Sequence, residues 1–113
     1  GRAVPLDELA GERLILRESG SGTRAIFEEA LHRQNWTLRS FPNVVTISDF
    51  STIKSLTADG LGVSFLYAPV VAQELKDGTL ARFDLAEVPM SGAFYFVCLK
   101  DNLFAKAWLD WMQ

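Results

Sequence analysis

Hydrophobic positions change period repeatedly along the chain, from short apolar runs to segments with apolar residues three and four apart, and that alternation predicts an α/β fold. Residues 14–17 read as a strand. From residue 23 to about 34, Ile26, Phe27, Ala30 and Leu31 recur at helical spacing, with Glu28, Glu29 and Arg33 on the other face. The alternation over 36–41 fits a strand ending at Pro42, and 44–47 is a second short apolar run. Ser48 or Asp49 caps a helix to about residue 59, carrying Ile53 and Leu56 inward and stopping at Gly60. Residues 62–67 form a near-continuous apolar strand of the kind buried on both faces. Pro69 sits where a first helical turn tolerates it, Val70, Val71 and Leu75 follow, and Asp77-Gly78 turns the chain. Strands are expected over 80–85 and 93–100, the second strongly aromatic. Asn102 then caps a last helix with Phe104, Ala105, Trp108, Leu109 and Met112 on one side. Residues 86–92, with Pro89 and Gly92, read as the loosest connection, hinge-like in composition, although Pro and Gly more often mark an ordinary loop.

The segment with chemistry in it is the passage from the first predicted strand into the first long helix. Ser19, Gly20, Ser21, Gly22 and Thr23 lie at a helix start, where up to about four backbone N–H groups lack intrahelical partners and the peptide dipoles sum to roughly half a positive charge. Glycine lets a ligand approach the backbone, and the hydroxyls donate or accept. A small polar or anionic ligand fits such a place. The alternative is that Ser21 only caps the helix and the glycines only make the turn.

Composition narrows the classes. With 113 residues, 49% hydrophobic and 22% charged, the chain suits one globular domain with one core. A net charge of −3 with scattered Lys and Arg lacks the footprint of a nucleic-acid-binding surface. The lone cysteine, Cys98, sits in an apolar run and reads as a buried small hydrophobe. No apolar run is long enough to span a bilayer and no leader pattern is present, so a cytoplasmic protein is expected.

Catalytic chemistry finds little support. Ser19 and Thr23 stand where a nucleophile elbow around Ser21 needs glycine. His32 lies among polar neighbours and reads as a surface residue, and one His with one Cys cannot furnish a four-ligand zinc site. No carboxylate pair with defined spacing emerges for acid–base work. Gly20, Gly22 and Ala25 match a relaxed dinucleotide fingerprint, but Arg39-Ser40-Phe41 stands where the ribose-binding acid belongs. No catalytic residue, metal or cofactor is therefore expected.

Three segments in register carry a family resemblance: Arg17-Glu18-Ser19-Gly20-Ser21-Gly22-Thr23-Arg24, then Ile53-Lys54-Ser55-Leu56-Thr57-Ala58-Asp59-Gly60-Leu61-Gly62-Val63-Ser64-Phe65-Leu66, then Glu74-Leu75-Lys76-Asp77-Gly78-Thr79-Leu80. From Pro5 onward the chain resembles the effector-binding (substrate-binding) domain of LysR-type transcriptional regulators. That resemblance implies a periplasmic-binding-protein type II-like fold, two α/β subdomains with a small effector in the cleft between them. Residues 1–89 would be mainly the second subdomain, and 90–113 the returning crossover strand and C-terminal helix. It also implies DNA contact only through an N-terminal helix-turn-helix absent from this chain, no membrane, and a homo-oligomer. The ligand loop then falls on Ser19 to Thr23, with Ser48, Asp49 and Phe50 as a second wall of the cleft. Two positions depart from the family pattern, Tyr67 where proline is common and Thr57 where an aliphatic residue is common. A periplasmic solute receptor of the same fold and a dinucleotide-dependent enzyme fragment remain the alternatives. Phe104, Trp108, Trp111 and the 94–99 strand, if their packing partners lie elsewhere, predict a dimer of the fragment with its C-terminal segment exchanged.

Overall fold

The computed structural model describes residues 3–88 and 93–99. In chain order they form β1 (Ala3–Val4), α1 (Leu6–Ala10), β2 (Leu14–Leu16), α2 (Gly22–His32), a 3-10 turn (Leu38–Ser40), β3 (Val44–Thr46), α3 (Phe50–Ala58), β4 (Val63–Tyr67), α4 (Ala68–Asp77), β5 (Leu80–Leu85) and β6 (Phe94–Leu99). One mixed sheet of six strands runs β1-β5-β6-β4-β2-β3. Its strands all run the same way except β6, which lies antiparallel between β4 and β5. The α/β class read from the periodicity is therefore observed.

Side chains alternate across this sheet and divide the core in two. On one face Leu14, Leu16, Val63, Phe65, Phe83 and Phe96 meet Leu6 and Leu9 of α1 and Phe27, Ala30 and Leu31 of α2. On the other, Ile15, Leu66, Leu80 and Val97 meet Ile53 of α3 and Val71 of α4. The central strand β4 is buried on both faces from Val63 to Leu66, as its continuous apolar run predicts. Phe27 anchors the first face, with ring centroids 5.4 Å from both Phe65 and Phe96 and 6.2 Å from Phe41.

Several expectations are corrected. Residues 36–41 do not form a strand. Trp36 packs against Phe41 at 5.5 Å, and Thr37 and Ser40 exchange a reciprocal capping box around the 3-10 turn. The backbone N–H groups are thus met locally, and both rings face the Phe27 cluster. Ile26, read as inward, is 40% exposed, because Phe27 and Leu31 already fill the line of α2 that meets the sheet. The first two elements were not anticipated, being too short for periodicity to register. Leu6 and Leu9 nevertheless bury fully, and the Glu87 carboxylate accepts from the Leu6 N–H at 2.9 Å, standing in for a cap that Pro5 does not supply. Cys98 is buried and His32 exposed, as read. The predicted C-terminal helix with Asn102, Phe104, Ala105, Trp108, Leu109, Trp111 and Met112 lies outside the described residues, as do Pro89 and Gly92, whereas the 94–99 strand, expected to find its packing partners elsewhere, pairs with β4 and β5 of this chain.

The glycines and Thr57 show why the chain reads as it does between α3 and β4. Gly60 ends the helix region at φ +79, a left-handed turn that a side chain would strain. At Gly62 a Cβ would lie 2.6 Å from the Arg13 carbonyl oxygen, because the Val63 N–H bonds to that same carbonyl at 2.9 Å. Thr57 is fully buried and faces Ser64. Its hydroxyl donates to the Ile53 carbonyl at 2.7 Å, so Ser64 must be the donor in their mutual hydrogen bond, which ties α3 to β4. Gly62→Ala is expected to destabilise by about 1–3 kcal/mol in chemical denaturation, since backbone rather than a flexible side chain must yield. Thr57→Val should cost about 1–3 kcal/mol by stranding the Ser64 hydroxyl, and adding Ser64→Ala should recover much of the loss. A double-mutant cycle on denaturation midpoints reads that coupling directly.

Candidate functional site

Strands β2, β3 and β4 are parallel, so the segments leaving their carboxyl ends emerge on one edge of the sheet. The exit from β2 leads to α2 on one face, whereas those from β3 and β4 lead to α3 and α4 on the other. Such a reversal opens a crevice around the end of β2, the place where open α/β sheets take ligands. The two segments singled out in the sequence meet there.

The first is the turn into α2. Gly20 has φ +95, a conformation that favours glycine, with nothing within 4 Å of where a Cβ would stand, so the turn rather than a close neighbour requires it. Ser21 is the N-cap, its hydroxyl oxygen accepting from the Arg24 N–H at 3.1 Å, which keeps the O–H able to donate outward. The helix begins one residue earlier than its periodicity implied, at Gly22. Ser19, Gly20 and Gly22 are exposed, and Ser21 and Thr23 half-buried. α2 has no acidic residue in its first turn.

The second is the passage from β3 to α3. The Ile47 N–H donates to the Leu16 carbonyl at 2.8 Å, holding the two strand exits side by side. Ser48 is exposed. Asp49 caps α3, accepting from the Thr52 N–H at 2.9 Å and the Thr52 hydroxyl at 2.7 Å. These hydrogen bonds, from the Thr52 side chain first and its backbone second, hold the Asp49 carboxyl below its ordinary value. Phe50 is half-buried with its ring beneath Arg17, whose guanidinium carbon lies 4.3 Å from the ring centroid.

Two arginines that the sequence reading passed over join these walls. The Arg24 Nη1 donates to the Arg17 carbonyl at 3.1 Å and to the Thr46 hydroxyl at 3.2 Å, while its Nε pairs with Glu28 at 2.9 Å. Arg17 sits at the end of β2 and pairs with Glu18 at 3.2 Å. Their signal was present as the arginines flanking the Ser/Gly turn, but only strand pairing shows that they reach toward β3 and α3. A cavity of about 410 Å³ lies elsewhere, between α3 and α4, lined by Ser51, Lys54, Ser55, Glu74, Asp77 and Thr79 among others and by none of the residues named for the ligand loop. Among the described residues no group of three or more His, Cys, Asp or Glu is placed to hold a metal, and no helix is long and apolar enough to cross a membrane.

Comparison with known proteins bears on this geometry. The family profile described as the LysR substrate binding domain matches residues 1–113. The HTH-type transcriptional activator CmpR of Synechocystis sp. is 33% identical over 115 residues, covering 98% of this chain and 36% of CmpR. The HTH-type transcriptional regulator CfxR of Cupriavidus necator is 34% identical over 106 residues, covering 94% of this chain and 32% of CfxR. Among solved structures, the regulatory domain of Synechocystis PCC6803 CcmR, in complex with 2-PG, superposes with a TM-score of 0.62 at 26% identity, covering 97% of this chain and 53% of that one. The chain thus spans about a third of the length of these curated relatives and about half of the solved domain. Its fold is periplasmic-binding-protein-like, and the matches support the regulator reading rather than the solute receptor or the dinucleotide enzyme.

Asp49 offers a test of how the second wall is held. A carboxyl depressed in the folded state stabilises above its unfolded value and loses that contribution as pH falls through the folded one. Asp49→Ala should therefore lower the melting temperature at neutral pH, with the gap to wild type closing as pH drops below the ordinary aspartate range. Thermal melts of both proteins from about pH 7 to about pH 3 check this.

Proposed function

The chain belongs to the LysR substrate-binding domain family, the effector-binding domain of LysR-type transcriptional regulators, and from that premise we propose that it holds a small anionic effector at the start of α2. Residues 1–89 belong to the second of two subdomains, and the ligand sits between it and the first. The observation that carries the reading is the meeting of two chain exits around the end of β2. There the turn Ser19 to Thr23 that opens α2 follows Arg17, which stacks on Phe50, and the Ile47 N–H bound to the Leu16 carbonyl brings the segment Ser48, Asp49 and Phe50 alongside. Unpartnered N–H groups and an uncompensated helix dipole favour negative charge there. 2-PG, the molecule on the solved CcmR domain, is the first candidate effector.

In the whole protein, ligand-driven closure of the cleft biases how subunits pack, and that change reaches DNA through a helix-turn-helix such as those for which the relatives are named. The protein works in the cytoplasm as a homo-oligomer, without cofactor and without catalysing a reaction on its ligand.

Calorimetry of the full-length protein with 2-PG, inorganic phosphate, dicarboxylates and a dinucleotide tests the reading, with Ser21→Asp beside wild type. Aspartate caps a helix as well as serine, so the variant keeps its stability while placing a negative charge at the helix start. The expected result is wild-type binding of at least one small anion and a loss of about tenfold or more in Ser21→Asp, the scale of one charge contact. Equal affinities in the two proteins, or binding of the dinucleotide alone, would overturn it.

A further inference from the structure

We propose that Arg17 selects the charge class of the ligand, donating to carboxylate or phosphate oxygens, and that Glu18 occupies it when no ligand is bound. The inference rests on the effector reading above and assigns its specificity to a side chain outside the helix start. Arg17 is held in place from below, with its guanidinium 4.3 Å from the Phe50 centroid and its side chain only 19% exposed. Arg24 fixes its backbone through the Arg17 carbonyl. The side chain is therefore positioned before any ligand arrives, which spares the cost of ordering it.

Its hydrogen bonding is incomplete. Nη2 donates to Glu18 Oε1 at 3.2 Å, while Nε is enclosed and has no hydrogen-bond partner. These two nitrogens form one edge of the planar guanidinium, the edge that grips an oxyanion through two parallel N–H···O bonds. Glu18 meets only half of it. An enclosed, unmet donor is costly, and an acceptor that reaches both nitrogens recovers that cost.

Glu18 is suited to leave. Its side chain is 50% exposed, and an ion pair so open to water contributes little. A ligand oxyanion that gains both N–H groups displaces it, and Glu18 turns to solvent at small penalty. A neutral molecule offers this edge only weaker, uncharged acceptors and a cation is repelled by it, so neither displaces Glu18 as an oxyanion does. Because Phe50 opens α3 while Arg17 closes β2, the exchange takes place where the two walls of the crevice touch.

The test is calorimetry of the full-length protein with 2-PG and inorganic phosphate as probes at fixed ionic strength. Glu18→Gln removes the competing charge while leaving an amide oxygen able to accept from Arg17, and should tighten binding about two- to fivefold, the range set by exposed ion pairs. Arg17→Gln should weaken it about tenfold or more, and Arg17→Lys should fail to restore it because an ammonium lacks the two-pronged edge. Unchanged or weaker binding in Glu18→Gln overturns the proposal even if the Arg17 variants fail to fold. Wild-type affinity in a folded Arg17→Gln overturns it as well. If wild type binds neither probe, the anionic-effector reading itself falls, an outcome distinct from a wild type that binds while Glu18→Gln does not improve on it.

Discussion

Strand β2, three residues long, is paired on both sides, to β3 through Leu14, Ile15 and Leu16 and to β4 through Leu14 and Ile15. That double pairing is the constraint from which the rest follows. It puts Leu14 and Leu16 against α1 and α2 and Ile15 against α3, so the shortest interior strand joins both halves of the core. It also ends abruptly. Past Leu16 the chain turns away to one face while both neighbouring strands send their helices to the other, and the crevice opens where no crossover covers the sheet. Gly62 belongs to the same arrangement, because β4 enters the sheet against the Arg13 carbonyl just ahead of β2.

Charge around this crevice is uneven, and the unevenness comes from the choice of caps. α2 is capped by neutral Ser21 and α3 by ionised Asp49. The dipole of α3 is thus met by its own N-cap, while that of α2 has a neutral cap and no carboxylate in its first turn. Arg17 and Arg24 add formal positive charge on the same side, each with a glutamate beside it, Glu18 and Glu28. The two arginines have different work. Arg24 has its acceptors distributed over the Arg17 backbone, Thr46 and Glu28 and acts as a clamp between strand exits, whereas Arg17 stacks on Phe50.

The core explains why one stretch misled its own pattern. Residues 36–41 alternate as a strand does, yet Trp36 and Phe41 turn toward Phe27, and the intervening residues close on themselves through Thr37 and Ser40. Alternation records that polar and apolar side chains take turns. It does not record whether a neighbouring strand exists to accept the backbone hydrogen bonds, and the sheet edge beside β2 is already taken by β3. Ile26 misled for a related reason, since helical spacing identifies a stripe but not how wide a stripe the sheet has room to cover. Thr57 shows the converse. It departs from the aliphatic residue common in the family, and the structure accounts for it by a hydroxyl partner across the interface, Ser64 on β4.

Read by itself, the amino-acid order determined the class of fold, the positions of α2, α3, α4 and the strands β2 to β6, the Ser/Gly turn that opens α2 and, through three motifs in register, the family. Those features rest on local physics, which neighbours along the chain are enough to specify: helical and strand periods, caps, and glycines with positive φ such as Gly20 and Gly60. Only the tertiary structure decided that β6 inserts antiparallel between β4 and β5, that Glu87 caps a helix 81 residues away, and that Arg17 lies over Phe50. Each of these is a contact between segments far apart in sequence, settled by which burial and which hydrogen-bond pairing the whole sheet can satisfy at once, and no local window of the chain contains that information.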